Sequence, residues 1–475
     1  MSESDATLLR NEATARNAVT TQSGVASHCD KDRENEAARA SMRVVYLTAG
    51  AATRFCGSCL HDNALARALK AAGEDILLVP TYTPLRTDEE NVSLPRVFFG
   101  GVNVYLQQHS ALFRHTPWFV DRLLDSPKLL DWLSRHSAGM EAAKLGALTV
   151  STLSGEQGRQ RKELEKITRW LADEARPELI HFSNALLLGM APRLREALRV
   201  PIVCGLAGED WFLEQLKEPH YRQARELLRQ RAREVDVFVA YNRYFADFMS
   251  DYLSVDRKRI EVIRHGLDLD GYGDRRERTV NEPITIGYFG RIAPEKGIHL
   301  LVEAFGALAA DPTLPRLRFK IAGYKSYGDE PYFEMVMKRA IERGLADRFH
   351  YAGELDRAAK IAFLQSLDIM AVATVYHESK GFSALEALAS GVPVVAPRHG
   401  SFPEILEETG GGLLCEPENP ADLAAKLRQF VLNPAIVAEH GRRGREAIDA
   451  QYTAARMADQ HRHLYRRVMA VAKRD

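Results

Sequence analysis

The segment HESKGFSALEALASGVPVVAP, residues 377–397, sets two carboxylates eight positions apart around a glycine and a helix start. Glu378 lies in the loop after an apolar run that ends near Ala373, Gly381 permits a tight turn beside Phe382, and a helix is expected from near Ser383. A glutamate there is placed to accept hydrogen bonds from hydroxyls. The free N–H groups of the first helical turn can hold phosphate oxygens. Glu386 follows Ser383 by three residues, which is also the spacing of a capping box, so it either caps the helix or accepts a second set of hydroxyls.

A second group surrounds GRIAPEKG, 290–297, directly after an apolar strand. Gly290 lets the backbone turn sharply, and Arg291 and Lys296 bring two cations that a diphosphate would bridge, although both could equally face solvent at a helix start. KIAGYKSYGDE, 320–330, adds Gly323, whose main use is close backbone approach, and Lys325, which is either a phosphate contact or a plain loop lysine. Two carboxylates beside an anionic diphosphate are unfavourable unless they accept from neutral hydroxyls and cations match the phosphates. Glu378, meeting a sugar, and Glu386, meeting a ribose, therefore require Arg291 and Lys296.

The loop AGAATRFCGSCLHDN, 49–63, carries Gly50 and Gly57 and offers Arg54 and His61 as polar groups. Cys56 and Cys59 make a C-x-x-C, which reads as a redox or zinc pair. Zinc needs about two further ligands, and the other cysteines, Cys29, Cys204 and Cys415, form no second pair, so no metal site is expected. His181 in ELIHFSN is either a polar group at a strand end or a satisfied buried histidine. No side chain stands out as a general base, which suits a reaction whose leaving diphosphate takes the acceptor's proton.

These residues need a scaffold of parallel strands. RVVYLTAG (43–50), DILLVP (75–80), ELIHFSN (178–184), PIVCGLAG (201–208) and VDVFVAYN (235–242) are short apolar runs separated by helical patterns. ITIGYFG, RFKIAG, FHYAG, DIMAVA and VPVVAP repeat the scheme between 284 and 397. Such alternation builds doubly wound α/β domains whose ligands sit beyond the carboxyl ends of the strands. The expected plan is a flexible tail over 1–40, a Rossmann-like domain over 41–270 with an insertion at about 81–160, a linker at 271–283, a second Rossmann-like domain over 284–450 and a final helix over 451–475.

The bulk composition narrows the class. Lys plus Arg and Asp plus Glu both total 64 in 475 residues, so no global field favours nucleic acid. No run reaches the roughly 20 apolar residues that span a bilayer, and the first forty residues carry no signal-peptide pattern; a cytoplasmic protein is expected.

GRIAPEKG, the strand glycine of IAG and the spacing from Glu378 to Glu386 resemble the retaining nucleotide-sugar glycosyltransferases of the glycogen-synthase-like group, family 4, with the GT-B fold. The resemblance is dense over about 284–430 and thinner over 43–80 and 178–270, where RIEVIRHGLDLDGY is similar to the family's interdomain link. It implies two facing Rossmann-like domains with a deep cleft, a UDP- or GDP-linked sugar as donor, metal-independent transfer with retention, and a last helix crossing back onto the first domain. It further implies Arg291 and Lys296 on the diphosphate, Glu378 on the sugar, Glu386 on the ribose, and the glycine-bearing loop at Gly57 near phosphate. Ser183 departs from the family, which often has a second histidine there, and this leaves the roles of His181, Ser183 and Asn184 open. The expected acceptor is a small molecule, a glycan or a lipid-linked acceptor; peripheral membrane contact and homo-oligomerisation stay open. A phosphorylase, a nucleotide-sugar-cleaving enzyme and a silent sugar-nucleotide sensor are the rival readings.

Overall fold

The computed structural model describes residues 41–50, 57–99, 145–273 and 282–472 with positions 104, 108 and 279. Residues 1–40, Arg54, Cys56 and most of 100–144 lie outside that set.

The N-terminal sheet is formed by β1 (Arg43–Thr48), β2 (Asp75–Pro80), β3 (Leu179–Phe182), β4 (Ile202–Gly205), β5 (Val237–Ala240) and β6 (Ile260–Val262) in the order β2-β1-β3-β4-β5-β6, every neighbouring pair parallel. The C-terminal sheet has β7 (Ile284–Phe289), β8 (Leu317–Ala322), β9 (Phe349–Tyr351), β10 (Ile369–Ala371), β11 (Val394–Pro397) and β12 (Gly412–Cys415) in the order β12-β11-β10-β7-β8-β9, again all parallel. Central strands in such sheets are covered on both faces, which is why LIHF, IVCG and VVAP are apolar without alternation and buried at every position. Both domains are Rossmann-like.

Strand order reverses between β1 and β3 in one sheet and between β7 and β10 in the other. A crevice opens at such a reversal, because the following helices leave to opposite faces. The loops after β7 and β10 carry GRIAPEKG and HESKG, so the topology brings together two motifs more than eighty residues apart in the chain.

The helices bearing on the site are α1 (Gly57–Ala71), α2 (Glu209–Glu214), α3 (Ile298–Ala309), α4 (Arg357–Gln365), α5 (Phe382–Ala389) and α6 (Ala454–Ala472). The chain crosses between the domains near Leu267, whose N–H donates to Tyr452 O at 2.7 Å and whose carbonyl accepts from Ala454 N at 2.8 Å. From there α6 lies on the N-terminal domain. Tyr465 is fully buried beside His181, and Arg462 and Arg466 each donate to Glu74 at 2.9 Å. Among the described residues no helix is long and apolar enough to cross a membrane.

Two strands went unmarked in the sequence, β6 and β12, and both are edge strands of three or four residues with half-buried positions. The capping box also fails to form: Gly381 is the N-cap of α5, no side chain caps the helix, and Glu386 lies deeper, in its second turn.

Candidate functional site

Backbone contact sets the floor of the site. Gly323 has φ +136°, and a Cβ there would stand 1.9 Å from Gly290 O, so only glycine lets the loops after β7 and β8 touch. The parallel bridge of Ile292 with Lys325 continues that contact. Gly381, at φ +65°, turns the chain into α5, and a Cβ there would meet Ile405 Cδ1 at 2.4 Å. The first N–H groups of α5 have no intrahelical acceptor and carry the positive end of its dipole.

Glu378 and Lys296 meet at this end of the sheet. Lys296 Nζ donates to Glu378 Oε2 at 2.7 Å and to the Tyr376 hydroxyl at 2.7 Å, and Tyr376 donates to the same carboxylate oxygen through a short hydrogen bond. Burial pushes the Glu378 carboxyl up, but the charge and hydrogen bond of Lys296, the Tyr376 hydroxyl and the Lys380 charge together hold it below the usual carboxylate range. It is an anion at neutral pH. Burial and the same carboxylate push the Tyr376 phenol well up, so its proton stays in place to donate.

Arg291 lies at the rim, 46% exposed, and pairs with Glu295 one helical turn on. Lys325 turns away to Glu330, at 2.7 Å, and over the Phe333 ring at 4.2 Å, as a loop lysine does. Glu386 is buried, with Lys360 Nζ 2.7 Å from its Oε1 and the Tyr272 hydroxyl donating to the same oxygen at 3.1 Å.

The N-terminal domain meets the loop after β10. Asn242 Nδ2 donates to Ser379 O at 2.7 Å, Lys380 Nζ donates to Ser58 Oγ at 2.6 Å, and the Trp211 ring lies 4.9 Å from that of Tyr376. Gly57 opens α1 beside Ser58 with open space where a Cβ would stand. Phe382 and Ser383 begin α5, and the Phe382 ring packs on His265 at 4.4 Å.

His181 does not join this group. Its Nδ1 is 2.7 Å from the Tyr465 hydroxyl, its ring stacks on Tyr46 at 4.4 Å, and burial lowers its pKa well below the ordinary value. Ser183 is buried and accepts from Asn184 Nδ2 at 3.2 Å, while Asn184 caps the turn that follows. His61 is likewise buried, with its Nδ1 2.6 Å from His265 Nδ1. Cys59 is buried within α1, and its C-x-x-C partner lies outside the described residues.

Tyr376, Lys380 and Lys360 were not singled out in the sequence. Lys380 was within reach, since it sits between Glu378 and Gly381 in the motif itself. Among the described residues no group of three or more His, Cys, Asp or Glu side chains is arranged to hold a metal ion.

Comparison with known proteins places the two domains. Residues 274–447 match the family model Glycosyl transferases group 1, and residues 152–270 match Glycosyltransferase Family 4. Glycogen synthase of Mycobacterium tuberculosis is 26% identical over 283 residues, covering 58% of this chain and 66% of that protein. D-inositol 3-phosphate glycosyltransferase of Geodermatophilus obscurus is 30% identical over 240 residues, covering 47% and 53%. The chain thus spans about half to two thirds of these curated relatives. Among solved structures, sucrose-phosphate synthase of Thermosynechococcus elongatus superposes with TM-score 0.67 at 18% identity, over 90% of this chain and 100% of that one. HepE of Anabaena in complex with UDP gives 0.61 at 17%, over 89% and 99%. With two Rossmann-like sheets, the paired switch-point motifs and a family match on each domain, the chain belongs to the glycogen-synthase-like glycosyltransferases of family 4, with the GT-B fold.

Proposed function

We propose that this protein transfers a sugar, with retention and without a metal ion, from a UDP- or GDP-linked donor to a hydroxyl acceptor. The observation that carries the reading is the Lys296–Glu378 pair at the N-terminus of α5, at the reversal point of the C-terminal sheet. The UDP and UDP-glucose held by the Anabaena neighbour support a nucleotide-sugar donor.

In this reading the diphosphate rests on the first N–H groups of α5, at Phe382 and Ser383, with Lys296, Arg291 and Lys380 supplying positive charge. Glu378 accepts from the sugar hydroxyls and Glu386 from the ribose. The bond from the anomeric carbon to the diphosphate oxygen breaks as the acceptor oxygen bonds to that carbon. The acceptor's proton passes to the departing phosphate oxygen on the same face, which gives retention. His181, held in the interior against Tyr465, acts by supporting β3 rather than by touching the sugar.

A thermal-shift panel of UDP-, GDP- and ADP-sugars tests the donor, because a ligand that binds only the folded state raises its melting temperature. Stabilisation by one nucleotide family is expected, and a flat panel overturns the proposal. Free sugar released at full rate without any acceptor would make the protein a nucleotide-sugar-cleaving enzyme instead.

A further inference from the structure

The surroundings of Glu386 extend across the domain boundary. Lys360 of α4 lies with its ammonium 2.7 Å from Glu386 Oε1 and 2.6 Å from Asp88 Oδ2. Asp88 belongs to the N-terminal domain, in the segment after β2, 272 positions away. The three side chains are 3%, 4% and 6% exposed, Glu386 the least and Asp88 the most. Burial opposes the Lys360 charge, but the two carboxylates outweigh it and hold the pKa above its ordinary value.

A second set of ion pairs seats the same segment. Arg357, one turn before Lys360, pairs with Glu89 at 3.3 Å and donates to the carbonyls of Asp268 and Asp270 at 3.0 and 2.8 Å. Arg67 of α1 pairs with Asp268 and, at 3.7 Å, with Glu89. Two adjacent acids of the first domain thus lock onto α4 of the second only when the domains are together.

We infer that Lys360 and Asp88 are positioning residues for the donor ribose: Lys360 fixes one oxygen of Glu386, leaving the other for the ribose hydroxyls, and Asp88 fixes Lys360 from the opposite domain. The ribose seat is thus assembled from both domains, with Lys360 and Glu386 from one and Asp88 from the other. The inference rests on the ribose role proposed for Glu386.

The test reads ribose recognition directly. Affinities of the full-length protein for UDP, GDP and ADP and for their 2′-deoxy counterparts are measured by calorimetry, in wild type and in Lys360→Met, Asp88→Asn and Lys360→Arg. Wild type should prefer the ribonucleotide of its own base by about tenfold, the scale of one hydrogen bond to a charged group. In Lys360→Met and Asp88→Asn the preference should fall to about twofold or less, and Lys360→Arg should restore it. A merely structural role would lower the melting temperature and leave the preference intact; that result overturns the inference alone. Should Lys360→Met fail to fold, Asp88→Asn, which keeps the lysine but removes the carboxylate that fixes it against Glu386, decides. A wild type that binds none of these nucleotides, or binds them without ribose preference, overturns both the inference and the role of Glu386.

Discussion

Lys296 Nζ stands 2.7 Å from Glu378 Oε2, with the Tyr376 hydroxyl bonded to both. The arrangement resolves an electrostatic conflict in the proposed site. A carboxylate close to a diphosphate is repelled by it, whereas one already paired with a lysine presents little net charge and keeps a second oxygen for hydroxyls.

Replacing Glu378 with Gln keeps the shape and removes the anion. Turnover should fall by about a hundredfold or more, a loss of about 2.7 kcal/mol in transition-state stabilisation. Steady-state transfer rates, with circular dichroism to verify the fold, are the measurement. Wild-type turnover in this variant would remove Glu378 from the centre of the mechanism.

Tyr376→Phe separates orientation from charge. The hydroxyl contributes one hydrogen bond to Glu378 and accepts one from Lys296, while the ring contact with Trp211 survives the change. A fall in kcat of about three- to tenfold is expected, well short of that for Glu378→Gln, since the Lys296 contact remains. An effect as large as that of Glu378→Gln would mean the phenol itself touches the reacting groups.

Much of this was legible in the sequence. Glu378, Lys296 and the parallel strands around them announce themselves because glycines, a buried apolar run and a helix start fall within a few residues of each other. Strands β6 and β12 stayed hidden because edge strands of three or four half-buried residues lack the apolar run that marks a central strand. Lys360 left a faint signal, a lysine among the buried Ile361, Phe363 and Leu364 of α4. Its partner Asp88 left none, because a contact across 272 positions exists only once two domains have docked. His181 could be read from the sequence either as a strand-end polar group or as a buried histidine, and the Tyr465 hydroxyl 2.7 Å from its Nδ1 comes from α6, 284 positions away, which no local pattern announces.

Four buried histidines predict acid sensitivity. Burial lowers the pKa of His61, His181, His265 and His461, to about 3 for His265 and about 4 for His461. His265 is faced by His61, Tyr241, Lys380 and Phe382, and His181 by Tyr46, His461 and Tyr465. None of these neighbours is a carboxylate that would favour the charged ring. Because each folded pKa lies below the unfolded value of about 6.5, the unfolded chain binds more protons in acid. The stability from the neutral rings is present in full above about pH 6.5 and drains as pH falls toward 4, by up to roughly 1.4 kcal/mol per pH unit for each ring. The melting temperature should therefore drop steeply between pH 6.5 and 5, and a flat profile across that range would contradict the neutral assignment.

Glu74 ties α6 to the N-terminal domain. Its carboxylate is almost fully buried and accepts from both Arg462 and Arg466 at 2.9 Å, while the two arginines keep about a quarter of their surface in water. Solvent reduces what such a pair contributes, but the acceptor is sheltered and shared, so Glu74→Ala should destabilise the protein by about 1–2 kcal/mol. Arg462→Ala and Arg466→Ala should each cost less, since one donor remains, and combining either with Glu74→Ala should cost less than the sum of the two. Denaturant melts of the single and double variants supply that cycle. Strict additivity would show that the three side chains act independently and that α6 is held by the burial of Met457, Leu464 and Tyr465 alone.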